Sequence, residues 1–462
     1  MSQPNGLNRR AFLRNAGLTA LAGAAAGTHA PLLAATADTA PAIQASSSTF
    51  DFDTVYNRFG TDSTKFDQQI NRYGKDSVQV GMGIADIDFR AAPSITNALN
   101  ARVKHENWGY LDMNGPAMKA FTDGIVSWNK RRYNVDINPD SLVITTGVHP
   151  GLIAALRAFS PPGSKVLLQT PTYNGFYGDL RATNTIAEES PLKLVNGRYA
   201  MDFDDLERRI SHDTNTLILC NPQNPTGNCW SKEDLLKLGE ICLRRRVVVL
   251  ADEIHCDFVT KGNKYTPFAS IGNKEIVNNS LTFKAASKSF GLAAMKCAWF
   301  YSDNADYLAR VKAQNRADLT TLGMIASKSA YSGGEEWLNE CVDYIDANHD
   351  YVEQYIKANI PMIKSYKPQG TYLTWLDVSA VADKINAKQL AEEANRGLKA
   401  GANPVSPETM VERHFVKTAK VHMNAGTSYG LGGQNHMRMN IATSRKTLQL
   451  ALDNLARALK TT

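Results

Sequence analysis

The 462-residue sequence lacks the signatures of several protein classes. Its formal charge is only +6, with no basic stripe and no helix-turn-helix pattern, so a nucleic-acid-binding protein is not indicated. No segment repeats at a fixed period, which argues against a repeat architecture. What remains is the composition of an ordinary globular protein, long enough for one large and one smaller domain.

Cysteine is also scarce. The six cysteines form no Cys-x-x-Cys pair, so neither a metal site nor a redox pair is indicated. An even number would permit disulfides in an exported protein, but several cysteines lie inside apolar runs that resemble strands. We therefore expect buried free thiols.

The apolar run near the amino terminus, from Ala16 to about Ala26, is too short and too rich in alanine to span a bilayer comfortably. It follows Asn8-Arg9-Arg10-Ala11-Phe12-Leu13-Arg14. This pattern is typical of a twin-arginine signal peptide over residues 1–37, with a disordered basic tail or a membrane anchor as the alternatives. We expect cleavage, export of the folded protein by the twin-arginine machinery, a periplasmic or extracytoplasmic location and no stable membrane anchor.

After a linker over residues 38–48, short apolar runs alternate with helical patterns. Strands that alternate with helices predict an α/β fold with a mostly parallel sheet, in which ligands bind at the carboxyl ends of the strands. The predicted strands are 142–146, 165–169, 216–220, 247–251 and 280–283, and one of the helices is 233–245.

The pattern changes after a helix-compatible stretch at about 335–360. Residues 371–376 and 437–441 are predicted strands and 448–459 a predicted helix, which together indicate a smaller α+β domain. The predicted division is an amino-terminal segment at 49–90 that contributes to the small domain, a large domain at 91–345 and the small domain at 346–462.

Lys288 is the most informative residue. It follows the apolar run 280–283 in Ala-Ala-Ser-Lys-Ser-Phe-Gly, which places a charge at the carboxyl end of a buried strand. A buried amine loses hydration, shifts toward its neutral nucleophilic form and can condense with an aldehyde as a Schiff base. Taken alone, a lysine beside a strand end is more often a solvated surface residue.

Two other predicted strand ends carry polar groups. Asp252 follows the run 247–251 and, if partly desolvated, needs a cation such as a protonated pyridine nitrogen; the alternative is an aspartate that caps the next helix. Asn224 lies in Asn-Pro-Gln-Asn-Pro-Thr-Gly, a rigid turn that can direct its amide toward a ligand, or a plain loop.

Further candidates could hold a phosphate or a planar ring. Gly147, Val148 and His149 follow the first strand, where backbone amides and a helix amino terminus suit a phosphate. Lys296 could add a cation there, with a surface lysine as the alternative. Tyr173 follows another strand and could stack on a ring, or belong to the core.

In chain order, these pieces and the arginine of Arg438-Met439-Asn440-Ile441-Ala442 resemble the succession found in pyridoxal phosphate enzymes of the aspartate aminotransferase fold, the fold-type I members of the class I/II aminotransferase family. Within that fold the chain resembles the cystathionine beta-lyase subfamily often called MalY/PatB. The stretches that carry this resemblance are 82–89, 108–110, 252–255, 287–290 and 370–377. Ala294 departs from the glycine common in related sequences, and export is atypical for sulfur metabolism; these departures concern the substrate and leave the cofactor assignment unchanged.

The resemblance implies a pyridoxal 5'-phosphate cofactor held by Lys288 as a Schiff base, with Ser287 beside it. It also implies that Asp252 faces the pyridine nitrogen and that Asn224 binds the ring oxygen and the substrate. Arg438 would hold the substrate α-carboxylate through its paired donors.

The remaining roles also come from the resemblance. His255 would lie near the ring, with a structural histidine as the alternative. Gly147, Val148, His149 and Lys296 would surround the phosphate. Tyr110 would reach the phosphate of a neighbouring subunit, which implies a homodimer with shared sites.

Three functions are compatible with these residues. A carbon-sulfur β-lyase of the cystathionine or cysteine-S-conjugate type is favoured, because the subfamily stretches match. An exported class I/II aminotransferase is the alternative, since return of the proton to the cofactor would give transamination. A non-catalytic sensor that binds the cofactor is disfavoured by the intact set of Lys288, Asp252, Asn224 and Arg438.

Overall fold

The computed structural model describes residues 49–399 and 401–461. The predicted signal peptide, 1–37, and linker, 38–48, lie outside these residues. None of the helices in the described ranges is both long enough and apolar enough to cross a membrane.

Helices and strands alternate through most of the described chain. The helices are α1 (Asp67–Tyr73), α2 (Pro93–Val103), α3 (Pro116–Tyr133), α4 (Val148–Phe159), α5 (Gly175–Thr183), α6 (Phe203–Arg209), α7 (Lys232–Arg244), α8 (Lys274–Asn278), α9 (Ala286–Ser289), α10 (Ala305–Gln314), α11 (Thr321–Gly333), α12 (Glu335–Asn359), α13 (Ser379–Lys384), α14 (Ala387–Asn395), α15 (Pro407–Ala419) and α16 (Arg445–Thr461). The strands are β1 (Val80–Gly81), β2 (Leu142–Thr145), β3 (Lys165–Thr170), β4 (Ile186–Pro191), β5 (Lys193–Val195), β6 (Arg198–Ala200), β7 (Thr214–Cys220), β8 (Val248–Asp252), β9 (Ser280–Lys284), β10 (Ala298–Tyr301), β11 (Lys364–Ser365), β12 (Leu373–Asp377), β13 (Val421–His422), β14 (Asn424–Ala425) and β15 (His436–Asn440).

The central sheet has the strand order β2-β10-β9-β8-β7-β3-β4. All its pairings are parallel except those of β10, which runs antiparallel to both β2 and β9. Because β10 is reversed between them, β2 points the same way as β9. The carboxyl ends of β2, β3, β7, β8 and β9 therefore meet at one edge, as the sequence predicted.

The five strands predicted for this sheet are confirmed, each within two residues at either end. Two further strands were not predicted. The sequence of β4, Ile-Ala-Glu-Glu-Ser-Pro, is too polar for an apolar run, and the four apolar residues of β10 are too few to separate strand from helix by periodicity.

The sheet is buried because helices pack on both of its faces. One core cluster joins α4, α5 and α10 to inward residues such as Leu168 and Phe283. The other joins α6, α7 and α8 to residues such as Leu167 and Val249 on the opposite face. Burial of apolar side chains on both faces explains the continuous apolar runs of β7, β8 and β9.

A second, antiparallel sheet has the order β11-β12-β15-β14. Its predicted strands, at 371–376 and 437–441, are confirmed as β12 and β15, and the predicted helix at 448–459 lies within α16. The short strand β1 pairs with β13, which ties the amino-terminal segment to the carboxyl-terminal part of the chain. The predicted domain limits at 90/91 and 345/346 stay predictions; α12 runs unbroken across the second.

All six cysteines lie in the described ranges and are buried and free. Burial raises the pKa of each thiol for which a shift is resolved, such as Cys242 and Cys256, both to about 12. The expectation of buried free thiols is confirmed.

Candidate active site

The loops at the carboxyl edge of the central sheet bring most of the predicted site residues together. Lys288 follows β9, Asp252 ends β8, Asn224 follows β7 and Tyr173 follows β3. Strand β15 of the second sheet adds Arg438 from the opposite side. The charges of Arg438 and Asp252 both act on the pKa of Lys288, so these three groups lie near one another.

Lys288 lies on the single-turn helix α9 that follows β9. Its Nζ donates a hydrogen bond to the carbonyl oxygen of Ala85 at 2.9 Å. Burial lowers the pKa of this amine to about 8; the positive charge of Arg438 lowers it further, and the negative charges of Asp86 and Asp252 oppose the shift. Lys288 is therefore far closer to a neutral nucleophile than an ordinary lysine.

Lys284 is a second lysine near the end of β9, and its surroundings differ from those of Lys288. Lys284, the last residue of β9, donates to the Asn129 side chain at 3.0 Å, lies 3.8 Å from the Glu253 carboxylate and sits over the ring of Tyr133. These contacts within the protein give Lys284 a structural role. Of the two lysines at this strand end, only Lys288 faces the site.

Asp252 is buried, and its Oδ1 accepts a hydrogen bond from the backbone N–H of Ile254 at 3.1 Å. Burial raises its pKa to about 6, opposed by that backbone hydrogen bond and by the charges of His149 and Lys288. A turn follows Asp252 rather than a helix, so the helix-capping alternative is wrong. Within the described residues no lysine or arginine forms an ion pair with it, and the carboxylate is open to a cationic ligand.

Arg438 is 2% exposed and lies on β15 between β12 and β14, so it is not an exposed charge on an edge strand. Its Nη1 donates to Oδ1 of Asn224 at 3.1 Å, and its Nη2 donates to the carbonyl oxygen of Gly83 at 2.6 Å. Its Nε is buried and has no hydrogen-bond partner in the described part of the chain. A buried guanidinium held by neutral acceptors alone is suited to an anionic ligand.

His149 and Tyr173 form a pair near the amino terminus of α4, which begins at Val148 directly after Gly147. Nε2 of His149 lies 3.3 Å from the Tyr173 hydroxyl, and Nδ1 lies 2.7 Å from the carboxylate of Asp179. Burial would lower the pKa of His149, but the hydrogen bond and charge of Asp179 outweigh it and raise the pKa. Asp179 was not predicted, because a partner 30 residues away leaves no local pattern.

His255 is 2% exposed and its ring packs edge-on against Tyr372, with centroids 5.5 Å apart. Burial, and then the charges of Lys288 and Arg438, lower its pKa well below the usual value, so the ring is neutral. Its Nδ1 is buried without a hydrogen-bond partner among the described residues. The site thus contains an unused hydrogen-bonding nitrogen close to two cations.

Three other predicted site residues, Ser287, Lys296 and Tyr110, are more exposed than Asp252 and Arg438. Ser287 is partly buried beside Lys288. Lys296 is exposed and has a left-handed backbone, but its charge contributes to the lowered pKa of Lys288, so it lies near the site. Tyr110 is fully exposed and lines a surface depression with Trp108. Its contact with a neighbouring subunit stays a prediction.

Backbone carbonyls of residues 83–87 were missed by the sequence reasoning. Besides the bonds from Arg438 and Lys288, the side-chain amide of Asn440 donates to the carbonyls of Ile84 at 2.6 Å and Asp86 at 2.7 Å. This 83–87 segment is therefore held in place by Lys288, Arg438 and Asn440. The stretch 82–89 supported the family resemblance, but carbonyl contacts carry no side-chain signal in a sequence.

The chain is similar to known proteins over most of its length. The family described as "Aminotransferase class I and II" matches residues 77–455. Cystathionine beta-lyase PatB of Bacillus subtilis is 36% identical over 414 residues, covering 88% of this chain and 100% of that protein. Among solved structures, cystalysin of Treponema denticola, which contains a pyridoxal 5'-phosphate cofactor, has a TM-score of 0.79 and 28% identity, covering 89% of this chain and 99% of its own. The PLP-bound C-S lyase of Staphylococcus hominis has a TM-score of 0.78 and 26% identity, with the same coverage.

Proposed function

Because the chain belongs to the class I and II aminotransferase family, we propose that it is a pyridoxal-phosphate-dependent carbon-sulfur β-lyase that acts on S-substituted L-cysteines. The relatives support this choice, since PatB is named a cystathionine beta-lyase and the S. hominis structure a C-S lyase. The proposed substrates are cystathionine and other cysteine S-conjugates.

The residues present fit the cofactor. The amine of Lys288, with its pKa near 8, suits an aldehyde, and the buried carboxylate of Asp252 suits a protonated pyridine nitrogen. The amino terminus of α4 at Gly147 and Val148 suits a phosphate. His255 offers a buried nitrogen without a partner in the described ranges.

When bound, pyridoxal phosphate supplies an electron sink for charge that develops at the substrate Cα. Arg438 binds and orients the α-carboxylate, and Asn224 fixes the Nη1 side of its guanidinium. The Lys288 amine removes the proton from Cα as a general base. Asp252 would pair with a protonated ring nitrogen and so stay ionised, and the carbonyl groups of the 83–87 segment hold Lys288 and Arg438 in place.

The observation that carries the proposal is the buried guanidinium of Arg438, bound to Asn224 and Gly83 and to no carboxylate in the described residues. An arginine of this kind can bind the carboxylate of an amino acid. Because it lies near a lysine of lowered pKa, the bound amino acid would lie next to a nucleophile. In β-elimination the Cβ–S bond breaks, and the sulfur leaves with the electron pair and takes a proton. Water then hydrolyses the remaining three-carbon fragment of the substrate to pyruvate and ammonia.

The test is to incubate purified enzyme with L-cystathionine in the absence of any keto acid. We expect pyruvate, ammonia and homocysteine in equal amounts. The family description favours aminotransferase as the second candidate, because the same residues can return the proton to the cofactor. Product that forms only when a keto acid is added would select that second function.

We also propose that the enzyme is a homodimer and is exported by the twin-arginine route. The homodimer is supported by the fully exposed Tyr110, which the family resemblance assigns to a neighbouring active site. Export is supported by Asn8-Arg9-Arg10-Ala11-Phe12-Leu13-Arg14, which lies outside the described residues. Replacement of Arg9 and Arg10 by lysine should leave the protein in the cytoplasmic fraction; unchanged export would contradict this route.

A further inference from the structure

A polar cavity of about 710 Å³ lies beside the candidate active site and takes part in none of the roles described above. Asn424, which lines it, pairs directly with Arg438 across β14 and β15. Ile84 and Asn174 also line it and are the chain neighbours of Ala85 and Tyr173. The cavity therefore opens next to the position proposed for the reacting half of the substrate.

Glu412, on α15, provides an anion in this cavity. The carboxylate is buried, and three groups contact its Oε1: the Tyr73 hydroxyl, Nη1 of Arg72 at 3.5 Å and Nε2 of His422 at 3.6 Å. Burial would raise the pKa of Glu412, but the contact with His422, the hydrogen bond from Tyr73 and the charge of Arg72 lower it. Glu412 is therefore ionised, and within the described residues its Oε2 has no hydrogen-bond partner.

Arg72 provides a cation beside this anion. Its side chain is 56% exposed, and its guanidinium lies over the ring of Tyr73 at 5.0 Å. Because only Nη1 approaches Glu412, and no other anion pairs with Arg72 in the described ranges, the other donors of its guanidinium are open to a second anion. One carboxylate and one guanidinium, side by side in a cavity, complement an ammonium and a carboxylate carried on one carbon atom.

We propose that this cavity binds the distal end of a thioether substrate, and that Glu412 and Arg72 select a distal amino-acid group over an uncharged alkyl group. The inference rests on the proposed function, because Arg438 must hold the carboxylate of the cysteine half. L-Cystathionine has a distal amino-acid group, whereas S-ethyl-L-cysteine ends in a methyl group. The substrate class is thus a thioether that joins cysteine to a second amino acid.

The test compares these two substrates in the purified holoenzyme and in Glu412→Gln, Arg72→Met and Arg413→Met variants. Arg413 is an exposed arginine next to Glu412 in the chain and serves as the matched control for lost surface charge. We expect Glu412→Gln and Arg72→Met to lower kcat/KM for L-cystathionine about ten-fold or more, mainly through KM, since each removes a charge-assisted contact. The values for S-ethyl-L-cysteine, and both values for Arg413→Met, should change less than about two-fold.

A binding measurement separates this inference from the proposed function. In Lys288→Ala protein loaded with cofactor, the dissociation constants of both ligands can be measured without turnover, with and without Glu412→Gln. A selective loss of L-cystathionine affinity would support the cavity assignment even if wild-type enzyme released no pyruvate. Equal losses of affinity for both ligands, or no loss for L-cystathionine, would overturn the cavity assignment. Because Arg72 is largely exposed, the Arg72→Met variant can test the assignment if Glu412→Gln does not fold.

Discussion

Lys288 and Tyr372 donate hydrogen bonds to the same acceptor, the carbonyl oxygen of Ala85, at 2.9 and 3.1 Å. The lysine lies on α9, which follows β9, and the tyrosine directly precedes β12, so the 83–87 segment joins the two sheets at the proposed reaction centre. The position of the catalytic amine therefore depends on a backbone group more than 200 residues away.

Cofactor uptake should depend on pH through Lys288. The pKa of this amine is lowered from 10.5 to about 8, so its neutral fraction reaches one half at about pH 8 and levels off roughly one to two pH units above that. We expect the rate at which apoenzyme incorporates pyridoxal phosphate to rise and level off in the same way. Stopped-flow absorbance measures it; a midpoint near 10 would mean that the amine is an ordinary lysine.

Arg438→Met should move that midpoint upward, because the arginine's positive charge is a cause of the lowered pKa of Lys288. The same variant should raise KM for L-cystathionine about 100-fold, since a paired guanidinium–carboxylate contact contributes about 3 kcal/mol. Steady-state kinetics in the loaded variant measures this. An unchanged KM would show that the α-carboxylate binds elsewhere.

Asp179→Asn should weaken retention of the cofactor. Asp179 holds Nδ1 of His149 at 2.7 Å and raises its pKa, so the amide variant leaves a neutral, less fixed ring. We expect the dissociation constant of pyridoxal phosphate to rise about ten-fold, from the loss of one charge-assisted hydrogen bond. Equilibrium dialysis measures it, and Asp306→Asn, an exposed substitution on α10, is the control.

Lys65→Met should destabilise the protein. Lys65 is 1% exposed, and its side-chain amine donates to Asp88 at 2.7 Å and to the carbonyl of Asp86, within the 83–87 segment, at 3.0 Å. Removal of one partner of a buried pair costs about 3 kcal/mol. Denaturant unfolding of the apoprotein measures the change; the Lys65→Met/Asp88→Leu double variant should recover part of it, and equal stability of wild type and Lys65→Met would refute a structural role for this pair.

The sequence was sufficient for five of the seven strands of the central sheet and for the polar residues near their carboxyl ends. Lys288, Asp252 and Asn224 were found because each lies in a segment that follows an apolar run, and Arg438 because the resemblance included its motif. Asp179 could not be found, since its contact with His149 depends on how α4 and α5 pack.

The backbone acceptors could not be predicted from the sequence for a different reason. Every residue has a carbonyl group, so the amino-acid sequence of residues 83–87 does not identify Gly83 or Ala85 as the acceptor for a catalytic side chain. The pair of Glu412 and Arg72 is likewise hidden, because α1 and α15 meet only in the folded chain. Local pattern thus predicted the strand ends, and tertiary packing determined the remaining contacts.

Borohydride reduction of the purified holoenzyme, followed by peptide mass spectrometry, tests the central assignment most directly. Reduction makes the bond between the cofactor and its lysine permanent. We expect a single pyridoxyl-phosphate adduct on the peptide that contains Lys288, and none in Lys288→Ala. An adduct on Lys284 or Lys296 in place of Lys288, or no adduct at all, would contradict the account.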